Sequence, residues 1–223
     1  MTAISVERPR TNDRRGPRLA TVALGLALGI LGFISLEMTA AGFSLGDNLP
    51  TTTMLDKLEA VSGTMTLGGG LQALVGMGVV IFGALVRRTL LRSEPEGALT
   101  PTIAWGGALV TATMVSVAAA LSQLTGASES PGEPAALLAI YNLSESFFAG
   151  AWCALALTAG AVAFAGLVRG SVARWLGGVS AFITVILVLA QVVVPWAGWF
   201  PALIWVVVAS IGLRTSAVRD VTV

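Results

Sequence analysis

Charged and metal-binding residues are scarce in this 223-residue chain. Only 11% of its residues are charged, whereas soluble domains average about 25%. It has no histidine, which removes the commonest metal ligand and general base, and its one cysteine, Cys153, cannot form an intramolecular disulfide. Hydrophobic residues make up 55% of the chain. This balance excludes an ordinary soluble domain and predicts an all-α polytopic membrane helical bundle.

Motifs of nucleotide-binding and metal-dependent enzymes are also absent. No P-loop, no G-x-G-x-x-G and no H-E-x-x-H occurs. The lack of histidine and the single cysteine argue against haem, zinc and quinone-redox chemistry, and no lysine lies in an apolar segment to form a retinal Schiff base. The sequence therefore predicts no catalytic residue, no metal site and no cofactor. Its arginines are too scattered to indicate nucleic-acid binding.

The long apolar segments of the chain predict six transmembrane helices, because a membrane-spanning helix needs about 20 mostly apolar residues. These segments are residues 19–42, 65–86, 103–123, 142–168, 175–194 and 197–213. The last is the shortest, and two prolines flank its start. Residues 19–213 are thus predicted to form one transmembrane domain, between a disordered basic tail (1–18) and a short C-terminal tail (214–223).

The distribution of arginine predicts the orientation of the six segments. Of the 13 basic residues only Lys57 is a lysine; the other 12 are arginines in the two tails and in the 87–102 and 169–174 connections. With six spans, all the arginines fall on one side and Lys57 on the other. Basic loops face the cytoplasm, so both termini are predicted to be cytoplasmic. The abundance of arginine, alanine, glycine and valine indicates a bacterial plasma membrane protein.

The first apolar segment has an alternative interpretation, because arginines followed by an apolar run also begin a signal peptide. The apolar stretch of residues 19–42 is longer than a signal h-region, which has roughly 7–15 residues, and more spans follow it. We therefore favour an uncleaved first span.

The two larger outer loops differ in character. Residues 53–61 place Met54 or Leu55, Leu58 and Val61 at helical spacing, with charged residues on the other face. Thr53 with Asp56 resembles a capping box. This pattern predicts a short amphipathic helix that leads through Ser62-Gly63 into the second span. Residues 124–134 instead read as a turn-rich loop.

Glycines recur on one face of each of the first two spans. Gly25, Gly29 and Gly32 share a face in the first, and Gly69, Gly76 and Gly83 share one in the second. Small residues at this spacing let membrane helices approach closely. The faces indicate either dimerisation or packing within the monomer, and we favour the second because most helix faces in a six-span protein are internal.

Five of the predicted helices carry polar side chains at a similar depth, towards the outer side of the membrane. The candidate binding residues in this layer are Glu37, Gln72, Gln123, Asn142, Glu145 and Gln191. A charge at the bilayer centre costs at least about 2.5–3.5 kcal/mol, and the outer position lowers that cost.

Two interpretations of this polar layer remain open. In the first, the side chains surround an outward-facing pocket with Glu37 and Glu145 as its ionisable members, since membrane acids usually face the interior or a water-filled cavity. Such a pocket suits a proton-linked or cation-binding site. In the second, the residues end their helices in the headgroup region and face water, where the helix dipole also favours Glu145.

One local motif carries a resemblance to a known family. The stretch "NLSESFFAGAW" opens the fourth span, and Arg174-Trp175-Leu176-Gly177 opens the fifth after a basic turn. With the six-span topology, this resembles the uncharacterised six-span bacterial membrane proteins classed only as a domain of unknown function. The resemblance covers roughly residues 19–213. It implies the fold, and it brings no activity or residue role.

Three functions are compatible with these patterns. The leading hypothesis is a non-enzymatic, transporter-like or accessory membrane protein with an outward-facing polar pocket. The second is a structural or partner-binding subunit that packs through the glycine faces against another subunit or a second copy. The third is an intramembrane lipid-modifying enzyme that uses Glu37 and Glu145 as acid and base. In each case the lipid bilayer surrounds the chain.

Overall fold

The apolar segments of the sequence form α-helices in the computed structural model, which describes residues 16–42, 49–127 and 134–216. The described helices are α1 (Gly16–Thr39), α2 (Thr51–Ser93), α3 (Thr100–Gly126), α4 (Pro134–Leu167), α5 (Arg174–Val193) and α6 (Trp199–Ser216). A short 3-10 turn, Pro195–Gly198, joins the last two. The described residues contain no strand. Most of the two predicted tails lies outside the described residues.

The helices form a closed ring of neighbours. Each packs against the next along the chain, and α6 also packs against α1. One apolar core runs through the ring and contains the fully buried Phe82, Leu155 and Trp205. The end of the bundle where α1 ends and α2 begins is called here the upper end. The lower end carries the 94–99 and 168–173 connections.

The helix lengths identify a multi-pass membrane protein. Five helices are long and apolar enough to cross a membrane, while the apolar stretch Trp199–Arg214 of α6 is shorter. Apolar side chains such as Ile30, Phe182 and Val192 are exposed on the outside of the bundle, as expected where lipid surrounds a helix. The all-helical membrane architecture is confirmed; six spans and cytoplasmic termini stay predictions.

Helices α2, α3 and α4 are longer than predicted, and α3 continues to Gly126, into residues predicted to be a loop. The predicted amphipathic helix is the first part of α2, which continues through Ser62 and Gly63 without a break over 43 residues. At 1.5 Å per residue, α2 is about 64 Å long, roughly twice the thickness of a hydrocarbon core. The capping box was wrong: α2 begins after Pro50, without a side-chain cap. Helix α4 begins at Pro134 rather than near residue 142.

The predicted apolar face of residues 53–61 packs at the upper end. Leu58 is buried there with Ala41, Met65 and Tyr141, so this face joins α2 to α4 and to the segment after α1. The charged face stays outside, and Lys57 Nζ donates a hydrogen bond of 2.8 Å to the carbonyl of Gly42. Predicted loop residues 128–133 lie outside the described residues.

Both glycine faces are used inside the chain. Gly25, Gly29 and Gly32 lie against Ser210, Val207 and Leu203 of α6. Gly69, Gly76 and Gly83 lie against α3. A Cβ atom built on Gly76 would lie only 2.7 Å from Ser116 Oγ, so glycine is needed for this helix approach. These contacts confirm the prediction of internal packing.

Buried hydroxyl groups join neighbouring helices by hydrogen bonds. Ser144 Oγ of α4 donates to the carbonyl of Ala118 in α3 at 2.9 Å, and Thr158 Oγ1 donates to the carbonyl of Ala104 at 3.0 Å. In the same way, Trp205 Nε1 of α6 donates to Ser180 Oγ of α5 at 3.0 Å. The polar atoms of these pairs are therefore satisfied away from water.

Candidate functional site

Glu145 lies on the buried face of α4, near the edge of that face. Tyr141, Phe148, Trp152 and Ala156 are all within about 60° of it around the helix at 100° per residue, and all four are buried. Glu145 itself is half-buried. These neighbours place its side chain on the interior side of α4, near the upper end of the bundle. The prediction that a membrane acid faces inward therefore fits this residue.

Tyr141 lies one turn above Glu145 and covers it from the upper end. Its ring packs with Ala41 and Met65 in the upper apolar cluster. Its hydroxyl lies within reach of the Ala41 backbone and within the electrostatic range of the Glu145 carboxylate. The upper cluster thus lies directly above Glu145 along α4.

Gln72 of α2 faces the same interior and is only 3% exposed. Its Nε2 donates to Thr39 Oγ1 at 3.2 Å. The single proton of Thr39 is directed to the carbonyls of Ser35 and Leu36, so this hydroxyl accepts from Gln72. That arrangement fixes the amide with Nε2 towards α1. Oε1 then points away from α1 and has no hydrogen-bond partner among the described residues.

Trp152 of α4 is the second buried residue with an unsatisfied polar atom. Its side chain is 3% exposed, and its ring packs edge-to-face on Phe148 with centroids 5.0 Å apart. Gly198, in the turn before α6, lies against its Cβ. Within the described part of the chain, Trp152 Nε1 has no acceptor. A buried donor without an acceptor costs about 1–3 kcal/mol.

Helix register places Gln72 and Glu145 at the same depth. Gly69 of α2 lies opposite Ala119 and Gln123, and Gly76 lies opposite Ala112 and Ser116, so Gln72 is level with about residue 118. The carbonyl of Ala118 in turn accepts from Ser144, the residue before Glu145. Both side chains therefore reach the interior within the upper half of the bundle. Trp152 lies two turns lower on α4, about 10 Å further in.

The arrangement combines three complementary chemical groups in an apolar interior. Gln72 Oε1 offers an acceptor, Trp152 Nε1 offers a donor, and Glu145 offers a carboxyl group. A polar guest with both a donor and an acceptor could satisfy the first two. We call Gln72, Glu145 and Trp152 the upper interior site.

Glu37 is not part of this site. Its side chain is exposed, and it lies about 160° around α1 from the buried Ser35 and Thr39. Glu37 and Glu145 therefore face different directions, and the described residues do not form the acid–base pair that the enzyme hypothesis requires.

The other predicted binding residues lie at the same end of the bundle. Gln123 is half-buried between α3 and α2, where a Cβ on Gly69 would lie 2.7 Å from its Cγ. Asn142 is half-buried, and its carbonyl accepts from Ser146 Oγ at 2.8 Å. Gln191 is half-buried near the upper end of α5. A binding role for these residues stays a prediction.

Sequence analysis missed two members of the site neighbourhood, Trp152 and Tyr141. A signal was present: Tyr141, Glu145, Phe148 and Trp152 follow one another at spacings of four, three and four residues, which places them on one helix face. The hydrogen bond between Gln72 and Thr39 was not predicted either, because no pattern within α1 indicates which residue of α2 lies next to Thr39.

A third missed residue, Glu94, lies at the lower end just after α2. Its side chain is 1% exposed, and its Oε2 lies 3.7 Å from Arg169 Nη1. Ser171 Oγ is 3.3 Å from the other carboxylate oxygen. This contact ties the α2–α3 connection to the α4–α5 connection.

Comparisons with protein-family models, with curated proteins and with solved structures found no match to this chain. The resemblance drawn from Arg174-Trp175-Leu176-Gly177 therefore stays a prediction. Functional inference rests on the geometry of the described residues.

Proposed function

We propose that this chain is a six-span plasma-membrane protein that binds a small polar solute in the upper interior site and acts as a transporter or an accessory of one. The upper end faces outward in this proposal, and both termini are cytoplasmic. The described arginines of the connections support that orientation, since Arg87, Arg88, Arg169 and Arg174 are at the lower end. Helix α6 has 18 residues, about 27 Å, which is close to the thickness of a hydrocarbon core.

The observation that carries the proposal is that two buried atoms of the upper half, Gln72 Oε1 and Trp152 Nε1, have no hydrogen-bond partner among the described residues. The third such atom among the described residues, Glu94 Oε2, lies at the lower end, where the charge of Arg169 is 3.7 Å away. Buried polar groups are nearly always hydrogen-bonded, and each orphan costs about 1–3 kcal/mol. Elsewhere in this bundle the interior Ser144, Thr158 and Trp205 do have partners. A polar guest that donates to Gln72 and accepts from Trp152 would remove both penalties.

The partner-binding hypothesis loses its proposed surface. Gly25, Gly29 and Gly32 pack on α6, and the glycines of α2 pack on α3. A second subunit would have to use a different face, for which the described residues give no specific support. The solute-binding proposal is therefore the one that the geometry favours.

Thermal unfolding of the purified protein tests the proposal with a panel of small amines, amino acids, polyols and sugars. We expect at least one probe to raise the unfolding temperature of the wild type but not of Gln72→Leu. The variant loses the acceptor and also removes an orphan atom, so without probe it should be within about 1 kcal/mol of wild type.

Thr113→Val is the control, because it removes an exposed polar group on α3 outside the site. It should keep the response to the probe. An equal response in Gln72→Leu, or no response of the wild type to any probe, would contradict the proposal.

A further inference from the structure

We infer that the solute of the upper interior site carries a protonated primary amine, and that Glu145 recognises it. This inference rests on the proposed function and adds the chemical class of the ligand. It follows from the charges, the aromatic side chains and the hydrogen-bonding atoms that the bundle places around the site.

The charges of the interior are unbalanced. The six predicted spans contain no lysine, arginine or aspartate, and their two acids are Glu37 and Glu145. Glu37 is exposed on the other side of α1, so Glu145 is the single acid that faces the interior. It forms no ion pair within the described residues, whose salt bridge joins Glu94 to Arg169. A carboxylate in an apolar interior requires either a proton or a cationic partner.

The side chains around Glu145 favour an organic cation over a metal ion. Tyr141, Phe148 and Trp152 share its helix face, and aromatic faces attract ammonium groups by cation–π interaction. A metal ion instead requires several oxygen or nitrogen ligands. The described residues hold no group of three or more His, Cys, Asp or Glu side chains that could bind one.

Gln72 distinguishes among organic cations. Its Oε1 is a buried acceptor at the depth of Glu145, and it requires a hydrogen-bond donor. A primary ammonium has N–H groups for both Glu145 and Gln72, whereas a quaternary ammonium has none. Trp152 Nε1 lies about 10 Å further in and would donate a hydrogen bond to an acceptor at a more distant position of the same ligand.

The ammonium group can belong to a free amine or to the ethanolamine headgroup of a lipid, because the site lies near the level at which headgroups begin. The two sources share the chemistry that Glu145 and Gln72 recognise. They differ in whether the ligand is taken from water or from the bilayer, and one experiment can separate them.

The test measures thermal unfolding in a detergent without added lipid at neutral pH, with ethanolamine and a series of longer primary amines, and with choline as the quaternary counterpart. Native mass spectrometry then measures retention of phosphatidylethanolamine against phosphatidylcholine. The variants are Glu145→Gln, which keeps the size of the side chain, and Glu37→Gln, which makes the same change on the exposed face. Size-exclusion chromatography checks that each variant is folded.

We expect a primary amine or phosphatidylethanolamine to bind the wild type and Glu37→Gln. In Glu145→Gln the half-saturating concentration should rise at least tenfold, or the retained lipid should be lost. Choline and phosphatidylcholine should bind the wild type at least tenfold more weakly than their primary-amine counterparts. A response to the free amines alone identifies a water-borne solute, and retention of the lipid alone identifies a headgroup.

Two results would overturn the inference. One is a wild type that binds no primary amine or ethanolamine lipid, and the other is amine binding that Glu145→Gln leaves unchanged. Neutral polyols and sugars separate this failure from failure of the proposed function. If a neutral probe binds the wild type and not Gln72→Leu, the site is correct and the cationic class is wrong; if no probe binds, the proposed function fails.

Discussion

The two ends of the bundle differ in whether a glutamate has a charged partner nearby. At the lower end, Glu94 is almost fully buried, and Arg169 and Ser171 lie next to its carboxylate. At the upper end, Glu145 lies on the interior side of α4 without an ion-pair partner among the described residues, at the depth of the unsatisfied Oε1 of Gln72. A carboxylate with its counter-charge in the chain holds connections together, whereas one without it is available to a ligand.

Two glycine contacts of α4, one in each half of the bundle, also differ in kind. In the lower half, Gly166 of α4 and Gly177 of α5 bring two backbones together: a Cβ built on Gly177 would lie 2.9 Å from the Cα of Gly166. In the upper half, Gly150 of α4 meets the end of a flexible side chain, Met114 Cε. The α4–α5 contact at Gly177 is therefore between backbones, whereas the α3–α4 contact at Gly150 can adjust by movement of a side chain.

The largest expected effect tests that difference in packing. Gly177→Ala should lower the free energy of unfolding by about 3 kcal/mol, because α4 and α5 must separate to admit a methyl group. Gly178→Ala is the adjacent control, since its Cβ would meet nothing within 4 Å. Gly150→Ala should cost less than about 1 kcal/mol, as Met114 can move. Denaturation in mixed micelles measures all three; equal costs for Gly177→Ala and Gly150→Ala would show that the two contacts of α4 are equally tight.

The next effect concerns the two glutamates. Arg169→Gln should cost about 1–3 kcal/mol, because it leaves the buried Glu94 without its counter-charge; the partial exposure of Arg169 keeps the loss below that of a fully buried pair. Glu145→Gln should leave stability unchanged or raise it, since no ion pair among the described residues is lost. The same unfolding measurement on both variants tests whether their stabilities differ in this way. A comparable loss in Glu145→Gln would mean that Glu145 has a structural partner and is not a ligand group.

The smallest effect compares two buried tryptophans. Trp205→Phe removes the hydrogen bond to Ser180, whereas Trp152→Phe removes a donor that has no acceptor. Both changes leave a similar cavity, so the difference between them reports the hydrogen bond. We expect Trp205→Phe to be the more destabilising by about 1 kcal/mol. If Trp152→Phe costs as much in the absence of ligand, its indole nitrogen is already satisfied.

Much of the fold could be predicted because local patterns carry it. Apolar runs predicted the helices, and the repeated spacing of Gly25, Gly29 and Gly32 predicted a close internal contact. Helix ends were harder: α2 continues through Ser62-Gly63, since glycine costs only about 1 kcal/mol in a helix and the packing of Leu58 and Met65 compensates for it. Helix α4 begins early for the same reason, as Tyr141 joins that cluster.

The candidate site could be predicted only in part. Depth follows from residue number along a helix, so Gln72 and Glu145 were assigned to one layer, and the helix register places them at a similar depth. The direction in which a side chain points around its helix does not follow from its depth in the membrane. Glu37 shares that layer in the prediction but points outward, because Ser35 and Thr39, about 160° around α1 from it, face α2.

The sequence by itself determined the helical membrane architecture, because the hydrophobic effect and backbone hydrogen bonding act on each segment separately. It also determined the charge inventory, including the absence of any base in the predicted spans. Only the tertiary structure decided which polar atoms have partners. Thr39 meets Gln72 and Arg169 meets Glu94 through contacts between distant parts of the chain, while Trp152 Nε1 meets no acceptor among the described residues. Such pairings depend on how helices rotate and stack against one another, which no single segment encodes.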